Sequence, residues 1–83
     1  MPKKILVVED NKNNLTLIRD ILQYNHYEVI EAENGEVGVK KALEHLPDLI
    51  LMDIQMPVMD GFEALKQLKN AEQTKHIKVI ALT

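Results

Sequence analysis

The stretch DLILMDIQMPVMDG, residues 48–61, decides the fold. Its first part, Leu49-Ile50-Leu51-Met52, is apolar at every position and stops on a carboxylate, Asp53. A short run with no polar alternation suits a strand covered on both faces, as in a parallel sheet. Its second part holds Pro57 and reads as a loop that leads into a helix. There Asp60 and Glu63 stand at the N-cap and N3 positions of a capping box. The same arrangement occurs earlier in the chain, where Ile5-Leu6-Val7-Val8 is uniformly apolar and runs straight into Glu9-Asp10.

Working outward from these two strands, the segments between them have helical spacing. From Lys12 to Asn25 the apolar residues Leu15, Ile18, Ile21 and Leu22 recur on one face, with Asn11 as N-cap. Tyr27–Ala32 alternates loosely and is expected to be a second, more exposed strand. Asn34-Gly35 breaks it and starts a second helix whose stripe is Val39, Leu43 and Leu46, stopped by Pro47. Gly38 weakens that helix, since glycine costs ~1 kcal/mol relative to alanine in a helix interior. The third helix carries Phe62, Leu65 and Leu68 and fades near Asn70, and Ile77–Leu82 makes a fourth strand. The order βαβαβαβ implies an α/β fold with a parallel sheet and right-handed crossovers. With the two bulkiest strands central, the spatial order is 2-1-3-4. The first helix then covers one face of the sheet, and the second and third helices cover the other.

Composition narrows the function classes. Eighty-three residues make one small domain, with 46% hydrophobic and 28% charged residues, which is ordinary for a soluble globular chain. A net charge of −3 and no basic stripe beyond Lys3-Lys4 argue against a nucleic-acid surface. No apolar run approaches the ~20 residues of a membrane span, and none near Met1 is long enough for a signal-peptide core. The absence of cysteine excludes disulfides and thiolate zinc sites. A cytoplasmic setting is the expectation. His26, His45 and His76 have no mutual metal-ligand spacing and read as surface residues. There is neither a glycine-rich phosphate loop with its lysine nor a dinucleotide fingerprint.

The predicted strand order brings Glu9, Asp10 and Asp53 to one place, the switch point where the chain reverses direction between strands one and three. Ligands of open α/β sheets bind there, beyond the carboxyl ends of the strands. Three carboxylates so close oppose one another's ionisation unless a cation balances them. Mg²⁺, which takes oxygen ligands and is commonly held by one or two carboxylates plus a phosphate, is the matching ion. Attack of a carboxylate oxygen on a phosphoryl group is the chemistry that fits. The plainer alternative is that each acid is a solvated loop residue, with Asp10 or Asn11 simply capping the first helix.

Taken together, ILVVEDN (5–11), DLILMDIQMPVMDG (48–61) and VIALT (79–83) resemble the receiver domains of two-component response regulators over the whole chain. The resemblance implies a flavodoxin-like sheet, the fold type of the chemotaxis receivers. It implies Asp53 as phosphoacceptor and as a ligand of the ion, Asp10 as a direct Mg²⁺ ligand, and Glu9 as an acid that holds the ion, often through water. Gln55 would offer its backbone carbonyl to the metal, and Thr83 the hydroxyl that moves towards the phosphoryl oxygens. Met56 and Pro57 would shape the loop beside the site. A histidine kinase or phosphotransfer protein would supply the phosphoryl group, and the altered surface would then bind a downstream protein. No nucleic acid or membrane partner is implied.

The family pattern also runs on past Thr83, through a fourth helix, a fifth strand bearing a phosphoryl-contacting lysine, and a fifth helix. Residues 1–83 are therefore expected to form a single, incomplete domain. Metal binding should survive better than phosphorylation, and the open edge of strand four should favour a homo-oligomer. Two other readings remain. One is an interaction scaffold that is never phosphorylated. The other is a phosphohydrolase of the haloacid-dehalogenase type, which needs a second aspartate where this chain has Gln55.

Overall fold

The computed structural model describes residues 3–54 and 61–82. Four parallel strands, β1 (Lys4–Val8), β2 (Glu28–Ala32), β3 (Leu49–Asp53) and β4 (Lys78–Leu82), alternate with α1 (Lys12–Tyr24), α2 (Gly35–His45) and α3 (Gly61–Asn70). The sheet order is β2-β1-β3-β4, as the two uniformly apolar strands require. All described element boundaries fall within one residue of the sequence expectation. The N-cap residue expected at Asp60 lies outside the described residues.

β1 is the axis of the molecule. It pairs on both sides, with Leu6 opposite Ile30 and Ile50, and Val7 opposite Glu31 and Leu51. Its two faces are both buried, which is why the run carries no polar residue. On one face Leu6 and Val8 join Ile50, Met52, Ala32, Ala42, Ala64, Leu68 and Ile77 in the main core beneath α2 and α3. On the other face Ile5 and Val7 are buried beneath α1. Each such side chain contributes about 1.5–3 kcal/mol by leaving water.

The helices bury most of the stripe the spacing predicts, Leu15, Ile18, Leu22, Val39, Leu65 and Leu68 among them, but not all of it. In α1 the inward residues are Leu15, Ile18, Arg19 and Leu22, all half-buried, while Ile21 is 54% exposed and forms an outer row with Leu17 and Tyr24. At about 100° per residue, Ile21 sits some 60° further round the helix than Ile18, beyond the edge of the buried stripe. In α2 the buried residues are Gly35, Gly38 and Ala42, and Leu43 and Leu46 lie largely outside. The cause is distance: a Cβ on Gly38 would stand 2.8 Å from Val8 Cγ2. The glycine that weakens the helix is what lets it lie against the end of β1. In α3, Ala64 and Leu68 are buried and Phe62 points to solvent.

The connections are closed by specific polar contacts. Asn11 caps α1 by accepting from the Asn14 N–H, and Asn34 caps α2 by accepting from Val37. At the end of α1 the His26 N–H donates to the Gln23 carbonyl and the Tyr27 N–H to Leu22, with His26 left-handed at φ 70°. This is a Schellman turn with histidine where glycine is usual. Beyond α3, the fully buried Thr74 hydroxyl donates to the Leu68 carbonyl at 2.7 Å, and Lys69 Nζ donates to Ile77 at 2.8 Å. These bonds lead the chain from α3 into β4.

Two stability effects follow. Gly38→Ala should destabilise the chain by about 1 kcal/mol, because overpacking against Val8 outweighs the gain in helix propensity. Adding Val8→Ala should give a loss smaller than the sum of the single changes in urea melts. His26→Gly should raise stability by about 1 kcal/mol in the same assay, by relieving the left-handed backbone.

Candidate functional site

Strand geometry assembles the acidic site. β1 and β3 are adjacent and in parallel register, with Val8 opposite Met52, so both chains leave the sheet at the same end. Glu9 and Asp10 follow directly on one, and Asp53 closes the other. One carboxylate oxygen from each of the three lies within 4.8 Å of the other two. The three acids singled out in the sequence are therefore brought together. Gln55 and Thr83, the remaining candidates, lie outside the described residues, as do Met56 and Pro57.

The three carboxylates have different surroundings. Glu9 is only 5% exposed, whereas Asp53 is half-buried and Asp10 faces solvent. Glu9 is held from two directions. Its backbone N–H continues the β1–β2 ladder to the Ala32 carbonyl at 3.0 Å, and its Oε1 accepts from the Asn11 N–H at 3.1 Å. Burial pushes the Glu9 carboxyl above its ordinary value, the Asn11 hydrogen bond pulls it back, and the neighbouring Asp53 charge raises it again. The N-terminus of α1, where unpaired amides carry partial positive charge, follows immediately at Lys12.

The donor set is all oxygen, with one member buried, one half-buried and one open to solvent. That combination fits a hard divalent ion that keeps part of its water shell. Two concavities lie elsewhere. One of about 230 Å³ is lined by Leu15, Glu31, Ala32, Glu33, Val37 and Lys41. Another, of about 450 Å³, lies between α2 and α3 beside Leu43 and Gln67. Neither is lined by Glu9, Asp10 or Asp53. Two contributors to it were not evident in the sequence. The Asn11 N–H acts through its backbone, which residue type does not reveal. Gly38, which seats α2 against the last residue before Glu9, left a signal only in its cost to the helix.

The chain belongs to the response-regulator receiver family: the description "Response regulator receiver domain" matches residues 5–83. Among curated proteins it is similar to the polar-differentiation response regulator DivK of Brucella anthropi, with 48% identity over the whole chain and 68% of that protein. DivK of Brucella ovis is 47% identical over the same span. Among solved structures, the receiver domain of the sensor histidine kinase PA1611 from Pseudomonas aeruginosa superposes with a TM-score of 0.96 at 36% identity. That match covers all of this chain and 68% of that one, whose active-site cleft coordinates a magnesium ion. The chemotaxis protein CheY4 of Vibrio cholerae gives 0.93 at 32% identity, covering 98% and 68% of the two chains. The chain thus spans about two thirds of the length of these relatives. Among the described residues no helix is long and apolar enough to cross a membrane.

The Glu9 environment has a consequence for stability. Because its folded pKa is raised above the ordinary 4.5, the folded metal-free chain holds the Glu9 proton more tightly than the unfolded chain. The difference stabilises the fold fully below 4.5 and is lost as pH rises through the folded value. Thermal melts in chelator between pH 4 and 8 should show this fall in the wild-type chain. Glu9→Gln should flatten it and give the higher Tm at neutral pH.

Proposed function

We propose that the chain is a phosphorylation switch. Asp53 accepts a phosphoryl group from the phosphohistidine of a histidine kinase or phosphotransfer protein, with Mg²⁺ at the acidic site, and the changed surface engages a downstream protein in the cytoplasm. The observation that carries this reading is the convergence of Glu9, Asp10 and Asp53 at the ends of two adjacent central strands. Family membership and the magnesium-bearing Pseudomonas relative support it.

In this reading a carboxylate oxygen of Asp53 attacks the phosphorus. The bond from phosphorus to the donor's imidazole nitrogen breaks, and its electron pair returns to the ring. As a carboxylate, Asp53 needs no base to activate it. Glu9, Asp10 and Asp53 would hold the cation, and the Asn11 N–H, which donates to Glu9 Oε1, would keep that carboxylate in place. Magnesium would supply charge neutralisation and orientation for the incoming phosphoryl oxygens. By resemblance, the Gln55 carbonyl would complete the metal's protein ligands and the Thr83 hydroxyl would turn towards the new phosphoryl group.

Intact-mass analysis after incubation with a small acyl phosphate tests the reading. The expected result is Mg²⁺-dependent gain of one phosphoryl group, absent in Asp53→Asn. Asp10→Asn should weaken Mg²⁺ binding by more than the ~10–100-fold typical of losing an outer-shell partner. A folded chain that neither binds Mg²⁺ nor gains mass would count against this reading and favour a scaffold that is never phosphorylated.

A further inference from the structure

Glu31, in the fourth position of β2, is gripped from both faces of the sheet. Arg19 on α1 reaches it from one face and places Nη1 3.3 Å from its Oε1. Lys41 on α2 comes from the other face and brings Nζ to 2.6 Å from the Glu31 carbonyl oxygen. The two contacts differ in kind. The Arg19 pair joins two partly exposed side chains, and such pairs contribute little once water and salt screen them. The Lys41 bond is charge-assisted, comes from a half-buried side chain, and engages the main chain itself.

Carbonyls along a strand point alternately to its two sides. The Ala32 carbonyl points to β1, where it accepts from the Glu9 N–H at 3.0 Å. The Glu31 carbonyl just before it therefore points away from β1, to a side on which, among the described residues, no strand pairs with β2. Lys41 takes the place of a neighbouring strand at that one peptide. The strand ends at Ala32, so the peptide between Glu31 and Ala32 is the last chance to fix it. Packing does not do so alone. The concavity of about 230 Å³ lined by Leu15, Ala32, Val37 and Lys41 lies against the same residues and leaves the strand end room to move.

We infer that Lys41 is a positioning residue for the acidic site, on the reading of Glu9, Asp10 and Asp53 as a cation site. By holding the Glu31–Ala32 peptide it fixes the carbonyl that anchors Glu9, and with it the place of the Glu9 carboxylate. The effect is opposite in sign to simple electrostatics. Removing a positive charge close to an acidic cluster strengthens cation binding, whereas displacing one ligand weakens it.

Titration with Mg²⁺, followed by NMR amide shifts at about 0.15 M salt to screen distant charges, tests this. Lys41→Met keeps the aliphatic stem and removes the donor. It should weaken Mg²⁺ binding roughly three- to tenfold, less than the ~10–100-fold typical of a group that touches a metal ligand, because Lys41 acts through Ala32. Lys41→Arg can still donate to the carbonyl and should restore most of the affinity. Lys40→Met removes the same charge from the next, exposed position and should not weaken binding. Amide hydrogen exchange of the metal-free chain gives a second readout. There Lys41→Met should speed exchange at Glu9 more than at Leu6 and Val7 in the middle of β1. Binding that is unchanged or tighter in Lys41→Met overturns the proposal, as does equal weakening in Lys40→Met or equal acceleration at all three amides. If the unaltered chain binds no Mg²⁺, the cation reading itself fails, and the exchange pattern still decides whether Lys41 positions Glu9.

Discussion

A strand that is apolar on both faces has no stable existence until both are covered, and β1 imposes that demand on everything around it. Ile5 and Val7 need α1 above them, while Leu6 and Val8 need α2 and α3 below. Hydrogen bonding needs β2 and β3 on either side. Once these are in place, the residue after Val8 has no freedom in where it emerges. It emerges beside the end of β3, where Asp53 stands. The acidic cluster is therefore a by-product of satisfying one strand, and the repulsion within it is tolerated because hydrophobic burial a few residues away is much larger.

That division of labour explains the unequal surroundings of the acids. Glu9 continues the backbone ladder and inherits the burial of β1, whereas Asp10, one residue further on, has left the sheet and meets water. A site built this way has one buried carboxylate and one, Asp10, in solvent. Such a combination can hold a cation firmly while its remaining positions exchange with solvent or an incoming phosphoryl group.

How much of this is legible in the sequence depends on which force sets each feature. Strand order and the convergence of Glu9, Asp10 and Asp53 follow from uniform apolar runs that end in acid, and the structure has both. The helix stripes are legible only in part. Spacing alone favours the large residues Ile21, Leu43, Leu46 and Phe62, yet these lie largely outside. Val39 and Leu68 do turn inward as the spacing predicts, but they share the inward positions of α2 and α3 with Gly38, Ala42 and Ala64, because helix-to-sheet distance rewards small residues where the elements approach closely. Thr74 was silent for a similar reason. A hydroxyl becomes a core residue only when a carbonyl is waiting for it, and that carbonyl belongs to Leu68, six positions away.

Asn11 unites two demands on a single position. Its side chain closes the first turn of α1 by accepting from Asn14, while its own backbone N–H is turned back to the Glu9 carboxylate. The first duty can pass to serine, threonine or aspartate, which cap helices comparably well. The second belongs to the main chain and any residue except proline can perform it. Side-chain identity at position 11 is thus open to drift among capping types, with proline barred for a reason that has nothing to do with the helix. A substitution pattern of that kind, permissive in chemistry and strict in one backbone atom, is how a lineage would record that helix start and acidic site are fastened through the same peptide unit.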